Sequence, residues 1–226
     1  MHKLTLLIPA HKESESLPIF LTELNSYDFK KIVVLQKEDD ETIKSISNFD
    51  NIKIYVQKKN GYGNALREGI EIIDTEFFCI INADGSMDPK YLEQMLICCK
   101  NKDFVFASRY LRGGGSDDDD LITFVGNKIF SFIGNLLFSL NLSDILYTYI
   151  VGKTNSAKSL LLKYSDFRIC VEIPILAKLK KLNYSSSPSM ERKRIGGEKK
   201  VNALKDGFLI LTAILELFIK KILKKK

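Results

Sequence analysis

The chain has 226 residues, 45% hydrophobic and 27% charged, which is enough for one α/β domain with a sizeable core and too few for two. This composition excludes a mainly disordered chain, and no uninterrupted apolar run reaches the ~20 residues needed to span a bilayer. The net charge of +6 is gathered at the end, where residues 191–226 hold eleven Lys or Arg against four Asp or Glu.

In chain order, 4–8 reads as a buried strand and 16–26 as a helix with Leu17, Phe20, Leu21 and Leu24 on one face. A strand at 31–35, an acid-opened helix at 40–48, a strand at 52–56, a helix at 63–73 and a strand at 77–81 follow. This alternation predicts an α/β fold, a mainly parallel sheet with helices on both faces. Ligands of such sheets bind at the carboxyl ends of the strands, so the loops after Ile8, Leu35, Val56 and Ile81 are the candidate sites.

Beyond these, the pattern predicts a helix at 89–99 and a strand at 103–108. A loop with Gly113, Gly114, Gly115 and the aspartates 117–120 comes next, the four acids reading as a solvated stretch. Helices are expected at 126–140 and 171–182, an extended segment around Pro188, a basic loop at 192–200 and a last helix at 201–222. The whole chain reads as a single domain. The longest apolar stretches, 124–142 and 207–219, are broken by Asn127, Lys128, Asn135 and Glu216, so neither reads as a membrane span, and the opening residues lack a signal-peptide pattern.

Cys79, Cys98, Cys99 and Cys170 lack a CxxC spacing and read as reduced. The basic tail has few interleaved aromatics and no nucleic-acid motif, which points to an anionic membrane surface and away from nucleic acid. Phe208, Leu209, Leu211, Leu215, Phe218 and Ile219 make the last helix apolar enough to need cover, from a membrane or from 129–140.

The loop after the fourth strand reads Asn82-Ala83-Asp84-Gly85-Ser86-Met87-Asp88-Pro89. A carboxylate at a strand end can hold a divalent cation against a diphosphate, whereas Asp88 before Pro89 reads as a helix N-cap. Gly61-Tyr62-Gly63 lacks the third glycine of a dinucleotide fingerprint.

Five blocks in register resemble family 2 glycosyltransferases of the GT-A fold. They are Pro9-Ala10-His11-Lys12-Glu13, Asn82-Ala83-Asp84-Gly85-Ser86, Ala107-Ser108-Arg109-Tyr110 with Gly113-Gly114-Gly115, Arg194 to Asn202, and Asp206-Gly207. The dolichyl- and polyprenyl-phosphate sugar transferases and their short bacterial relatives are the most similar subgroup. The resemblance implies transfer of a sugar, with inversion, from a nucleotide-diphosphate sugar to a membrane-associated acceptor such as a polyprenyl phosphate, by a cytoplasmic enzyme peripheral to the inner face of a membrane. It implies that Pro9, Ala10 and Glu13 line the donor, and that Asp84 with Asn82 and Ser86 holds Mg²⁺ or Mn²⁺. Arg109 is expected to face the acceptor phosphate or the sugar, and Arg194 with Lys200 to clamp the diphosphate from a mobile glycine-containing loop. Glu172 falls at an acidic position of the family and reads either as a catalytic base or as a helix-starting carboxylate.

The chain departs from the family at three places. Asn82 replaces an aspartate, so metal affinity should fall; Gln36-Lys37-Glu38-Asp39 replaces the base-reading tract; and 117–123 is acidic where basic residues are usual. Two rival readings follow: a GT-A-like binding or scaffold protein with impaired catalysis, and a nucleotidyltransferase.

Overall fold

The computed structural model describes residues 3–197, 200 and 202–223; Glu198, Lys199 and Val201 of the basic tract and the terminal lysines 224–226 lie outside them. The chain order is β1 (Leu4–Pro9), α1 (Ser16–Leu24), β2 (Lys30–Leu35), α2 (Asp40–Ser45), β3 (Lys53–Val56), α3 (Tyr62–Ile72) and β4 (Phe77–Ile80). A 3₁₀ turn (Pro89–Tyr91) leads into α4 (Leu92–Cys99), then β5 (Phe104–Ser108), β6 (Gly115–Ser116) and α5 (Leu121–Phe138). The chain closes with β7 (Ile150–Lys153), α6 (Thr154–Ser159), α7 (Ile169–Leu179), β8 (Tyr184–Pro188), β9 (Met190–Glu191) and α8 (Ala203–Leu223).

The sheet order is β3-β2-β1-β4-β7-β5-β8, and every pairing is parallel except the two made by β7. The expected mainly parallel sheet is therefore present, with one reversed strand that alternation of strands and helices does not announce. Reversal has a consequence for the site. The exits of β1, β2, β3, β4, β5 and β8 lie at one edge, and the entry to β7 brings Asp144 and Tyr147 to that same edge. Glycine is required within β7, since a Cβ on Gly152 would lie 2.6 Å from the Phe104 ring and 2.8 Å from that of Phe78.

Alternation along the strands divides the core. Leu7, Val34, Ile80 and Phe106 face the layer of α3, α5, α7 and α8, whereas Leu6, Ile8, Val33 and Val105 face α1 and α4. Cys79, Cys99 and Cys170 are buried as free thiols, and Cys98 is exposed.

Helix α5 begins five residues earlier than expected, because the Asp120 carboxylate accepts the Thr123 N–H at 2.7 Å and caps it. At 18 residues and a mean hydropathy of 1.5, α5 is long and apolar enough by composition to cross a membrane. One face of it is nevertheless packed on the domain through Asn127, Ser131, Gly134 and Phe138.

Candidate active site

The β4 exit turns at once into the acidic loop. Asp84 Oδ1 accepts from the Ser86 N–H at 3.0 Å and the Ser86 hydroxyl at 2.8 Å, which closes the turn. Its Oδ2 faces Arg194 Nη1 at 3.7 Å. Gly85 between them has φ +73°, and a Cβ there would lie 2.4 Å from Ile195 Cδ1. Asn82, half-buried at the strand end, donates its N–H to Met87 Sδ at 3.3 Å. Asp88 is the N-cap that its neighbour Pro89 predicts, accepting the Lys90 N–H at 3.0 Å.

The β1 exit supplies the opposite wall. Pro9 pairs with Val34 across β1 and β2, and the Ala10 N–H donates to Val34 O at 2.9 Å, so both sit buried at the sheet edge. Asp39 and Thr42 hold the next turn: Lys12 N–H reaches Asp39 at 2.6 Å and Glu13 N–H reaches the Thr42 hydroxyl at 3.0 Å. The tract that departs from the family after the second strand therefore has a holding role through Asp39. Glu13 is buried and accepts the Ser16 hydroxyl at 2.5 Å. Burial pushes its carboxyl above the usual value, the Ser16 bond opposes the rise, and the Asp84 charge adds to it. Lys200 and Arg194 act on the same carboxyl, so Glu13, Asp84, Arg194 and Lys200 share one electrostatic neighbourhood. A cavity of about 350 Å³ lies here, lined by Lys12, Glu13, Glu15, Glu41, Gly197 and Lys200 among others. A larger groove of about 550 Å³, between α3 and the segment after α6, contains none of the candidate site residues.

The segment after β9 lies across the β4 loop. Arg192 N–H donates to Ser86 O and Ile195 N–H to Asp84 O, each at 2.8 Å. The Arg192 guanidinium adds bonds to Gly85 O at 2.7 and 3.1 Å and a two-armed pair with Glu23 at 2.8 and 3.0 Å. The expected mobile loop is thus pinned as far as Ile195. Arg194 follows from that pinning: Nη2 donates to Asp118 Oδ2 at 2.9 Å while Nη1 faces Asp84.

Arg109 is placed differently from expectation. It is buried, and its guanidinium donates to Asp144 at 2.7 and 3.0 Å, to Asp119 at 3.2 Å and to Glu191 at 3.1 Å, with Cζ 4.5 Å from the Tyr147 ring centroid. Burial works against its charge, but Asp144 and Glu191 hold its pKa above the ordinary arginine value. In this arrangement its donors are spent on carboxylates, and Arg109 is the hub that ties the end of β5, the segment leading into β7, β9 and the 117–120 loop together.

Of the four aspartates, Asp117 and Asp120 are exposed as a solvated stretch would be, whereas Asp118 and Asp119 are half-buried in ion pairs. Asp118 takes Arg194, Asp119 takes Arg109 and the Tyr110 hydroxyl (2.6 Å), Asp120 caps α5, and the Asp117 N–H bonds Glu191 O. Asp118 is thereby linked through Arg194 to Asp84, and Asp119 through Arg109 to Asp144 and Glu191. Asp118, Asp119 and Glu191 lie just outside the blocks that carried the resemblance and Asp144 lies well away from any of them, and only their acidic character marked them in the sequence.

Glu172 stands apart from this cluster. It is buried at the start of α7, and its two oxygens accept the N–H groups of Lys163 (2.9 Å) and Tyr164 (3.1 Å). Burial raises its pKa and those bonds oppose the rise. It is the helix-starting carboxylate, engaged with backbone; the catalytic-base alternative finds no support in this geometry.

Among the described residues no group of three His, Cys, Asp or Glu could hold a metal by themselves. The loop itself carries one carboxylate, Asp84, with the Asn82 amide two residues before it and the Ser86 hydroxyl, which donates to Asp84, two residues after it. That suits Mg²⁺ or Mn²⁺, which keep waters and substrate oxygens in their shell. The Arg194 guanidinium stands 3.7 Å from the Asp84 oxygen that Ser86 leaves open, so that oxygen already faces a positive charge.

Residues 5–161 match glycosyl transferase family 2, and the chain belongs to that family. Uncharacterized glycosyltransferases of Mycobacterium bovis and Mycobacterium tuberculosis are 29% identical over 92 residues, 41% of this chain and 41% of theirs. The matched part thus spans about two fifths of those relatives. The glucosyl-3-phosphoglycerate synthase of M. tuberculosis, solved with Mn²⁺, UDP and phosphoglyceric acid, superposes with TM-score 0.69 at 12% identity, over 96% of this chain and 78% of that one. The mannosyl-3-phosphoglycerate synthase of Rubrobacter xylanophilus gives 0.66 at 13% identity, over 99% and 75%. The architecture is the GT-A fold.

Proposed function

We propose that this chain transfers a sugar from a nucleotide-diphosphate sugar to an anionic acceptor at a membrane surface, a lipid phosphate of the polyprenyl type, by a single displacement that inverts the anomeric carbon. The observation that carries the reading is Asp84: a carboxylate at the sheet's carboxyl edge with one oxygen locked by Ser86 and the other turned to a cationic position. Glu13 with Pro9 and Ala10 forms the donor-side wall, and Arg194 and Lys200 supply positive charge for the diphosphate. A divalent cation held by Asp84 with Asn82 and Ser86 would carry the charge that develops on the departing diphosphate. Solved GT-A neighbours with Mn²⁺ and UDP support that pairing.

In the transfer the bond from the anomeric carbon to the diphosphate breaks and one to the acceptor oxygen forms. A hydroxyl acceptor would need a base. Glu172, the sequence candidate for that role, is engaged in backbone hydrogen bonds, and the Asp88 carboxylate of the Asp84 loop is engaged in capping. A phosphate acceptor has an anionic oxygen already and needs no base, so their engagement favours a phosphate. The neighbouring synthase was solved with phosphoglyceric acid, also an anionic phosphate compound. Membrane association rests on the apolar outer faces of α5 and α8.

Purified protein assayed with UDP- and GDP-sugars and polyprenyl phosphate tests the reading. Asp84→Asn should lower transfer by about 10²-fold or more, the scale of losing a cation worth several kcal/mol. Asn82→Asp should keep transfer and tighten Mn²⁺ binding. A fully active Asp84→Asn protein would remove Asp84 from the centre, and nucleotide binding without any transfer would favour the scaffold reading.

A further inference from the structure

We propose that the Arg194 guanidinium and a divalent cation compete for Asp84, and that a diphosphate is what allows both to remain. The inference rests on the reading of Asp84 as the cation's carboxylate and concerns how this chain couples cation and nucleotide.

Three observations lead to it. Asp84 has one oxygen left for a cation, since Oδ1 already accepts two bonds from Ser86, and that remaining oxygen is the one that Arg194 faces at 3.7 Å. Arg194 does not stand there by chance of side-chain rotation. The backbone on either side of it is bonded to the same loop, Arg192 N–H to Ser86 O and Ile195 N–H to Asp84 O. Its second arm is held by Asp118 at 2.9 Å, which fixes the guanidinium between two carboxylates.

The consequences follow from charge. A divalent cation on Asp84 Oδ2 would lie within a few ångströms of a guanidinium that the backbone keeps close, and like charges at that range repel strongly away from bulk water. A cation alone is therefore disfavoured. A diphosphate brings enough negative charge to satisfy both, and its oxygens match the guanidinium fork. The exchange needs only the Arg194 side chain to swing from Asp118 to the diphosphate; the backbone bonds of Arg192 and Ile195 can stay in place. Asp118 is then the positioning residue that holds Arg194 in the nucleotide-free protein. By reciprocity, each of cation and nucleotide raises the affinity for the other.

The test measures Mn²⁺ alone, followed by the EPR signal of the free ion, and UDP or GDP in the presence of Mn²⁺, followed by calorimetry. Arg194→Ala should bind Mn²⁺ alone about fivefold or more tighter than the unaltered chain, the low end of ordinary coupling between sites. The same variant should bind the nucleotide with Mn²⁺ about tenfold or more weaker, the loss of a charge-assisted bond. Lys193→Ala removes an exposed charge one residue away and should change Mn²⁺ affinity by less than about twofold, since an exposed charge is screened. Arg194→Gln, closer in size, repeats the measurement should the alanine variant fold poorly. Adding Asp84→Ala should abolish the gained Mn²⁺ binding.

An Arg194 variant that binds Mn²⁺ no tighter than Lys193→Ala overturns the competition. If Asp84-dependent binding of nucleotide with Mn²⁺ persists beside that result, the proposed function stands and only this inference fails. Mn²⁺ binding that survives Asp84→Ala places the cation elsewhere and overturns both.

Discussion

Asp144 and Glu172 are both buried carboxylates whose hydrogen bonds are fully directed at protein groups, and what each holds decides what its loss would do. Asp144 receives two arms of Arg109, so Asp144→Asn leaves a buried guanidinium short of charge and should cost about 3–5 kcal/mol. For a chain of this size that is a fall in melting temperature on the order of 10 °C, readable by calorimetry. Nucleotide affinity of the folded fraction should hold, because Asp84 and Glu13 keep their own partners. A variant that melts normally would show that Arg109 does not depend on this pair. Glu172→Ala strands two backbone N–H groups and should cost about 2–5 kcal/mol, while the rate of sugar transfer per folded molecule stays within about twofold. Transfer lost without loss of stability would restore Glu172 as a base. At this scale local motifs in the sequence singled out Asp84, Glu13 and Arg194, which the structure brings into one neighbourhood. The sequence could not show Asp118, Asp119, Asp144 and Glu191, because their partners are 10 to 82 residues away and nothing local signals the pairing.

Among the elements, the segment from Arg192 to Ile195 departs most from its expected character. A basic stretch followed by two glycines reads as a free lid, yet its first four residues behave as an added edge along the β4 loop. Arg192 is the fastener, with two bonds to Gly85 O and the Glu23 pair. Arg192→Ala should let the segment open locally, and hydrogen exchange at the Ile195 amide should quicken by about tenfold or more, since local opening sets that rate. Unchanged exchange would mean that the backbone bonds alone hold it. Beyond Ile195, Gly196 lies beside Glu15 and Ser16 with ordinary room for a Cβ, whereas a Cβ on Gly197 would lie 2.9 Å from Glu13 Oε2. Strands with alternating helices were legible because strands such as β1, β4 and β5 are short, continuously buried apolar runs, while α1 spaces its buried Leu17, Phe20, Leu21 and Leu24 at the helical repeat. Strand β7 was not, although residues 147–151 are rich in aromatic and β-branched side chains, because a reversed strand looks like any other until its neighbours are known. The early start of α5 was hidden for a related reason, since Asp120 reads equally well as a solvated acid or as a cap.

For the molecule as a whole, the unresolved balance of apolar surface lies on α5 and α8. The two helices run the same way, with Gly207 near Phe130 and Phe218 edge-on to Phe138 at 5.8 Å. Each buries one stripe: Ser131, Gly134 and Phe138 on α5, Ile210, Ile214 and Leu217 on α8. The opposite stripes are apolar too, with Phe132 66% and Leu136 69% exposed on α5, and Phe208 68% and Ile219 57% exposed on α8. A helix facing only water carries polar residues there, and apolar surface on this scale is what the proposed membrane contact would cover. Basic residues at the end of α8, Lys220 and Lys221, suit an anionic surface. The last helix was expected to meet either a membrane or the 129–140 helix; it packs on α5 with one face and leaves the other apolar. Deleting the chain from Leu217 onward would be a poor test, because Leu217 is core and Phe218 packs on Phe138. Phe132→Ser with Leu136→Ser changes only exposed side chains. If both insert, the pair removes about 3–6 kcal/mol of apolar transfer and should release the protein from anionic liposomes in flotation at low salt. Nucleotide binding should be unaltered, since neither residue touches the Asp84 loop or the 192–197 segment. High salt should weaken flotation of the unaltered chain without abolishing it, because the lysine attraction is screened and the apolar insertion is not. An unaltered chain that fails to float at low salt would refute the membrane assignment and leave a soluble phosphate as the acceptor.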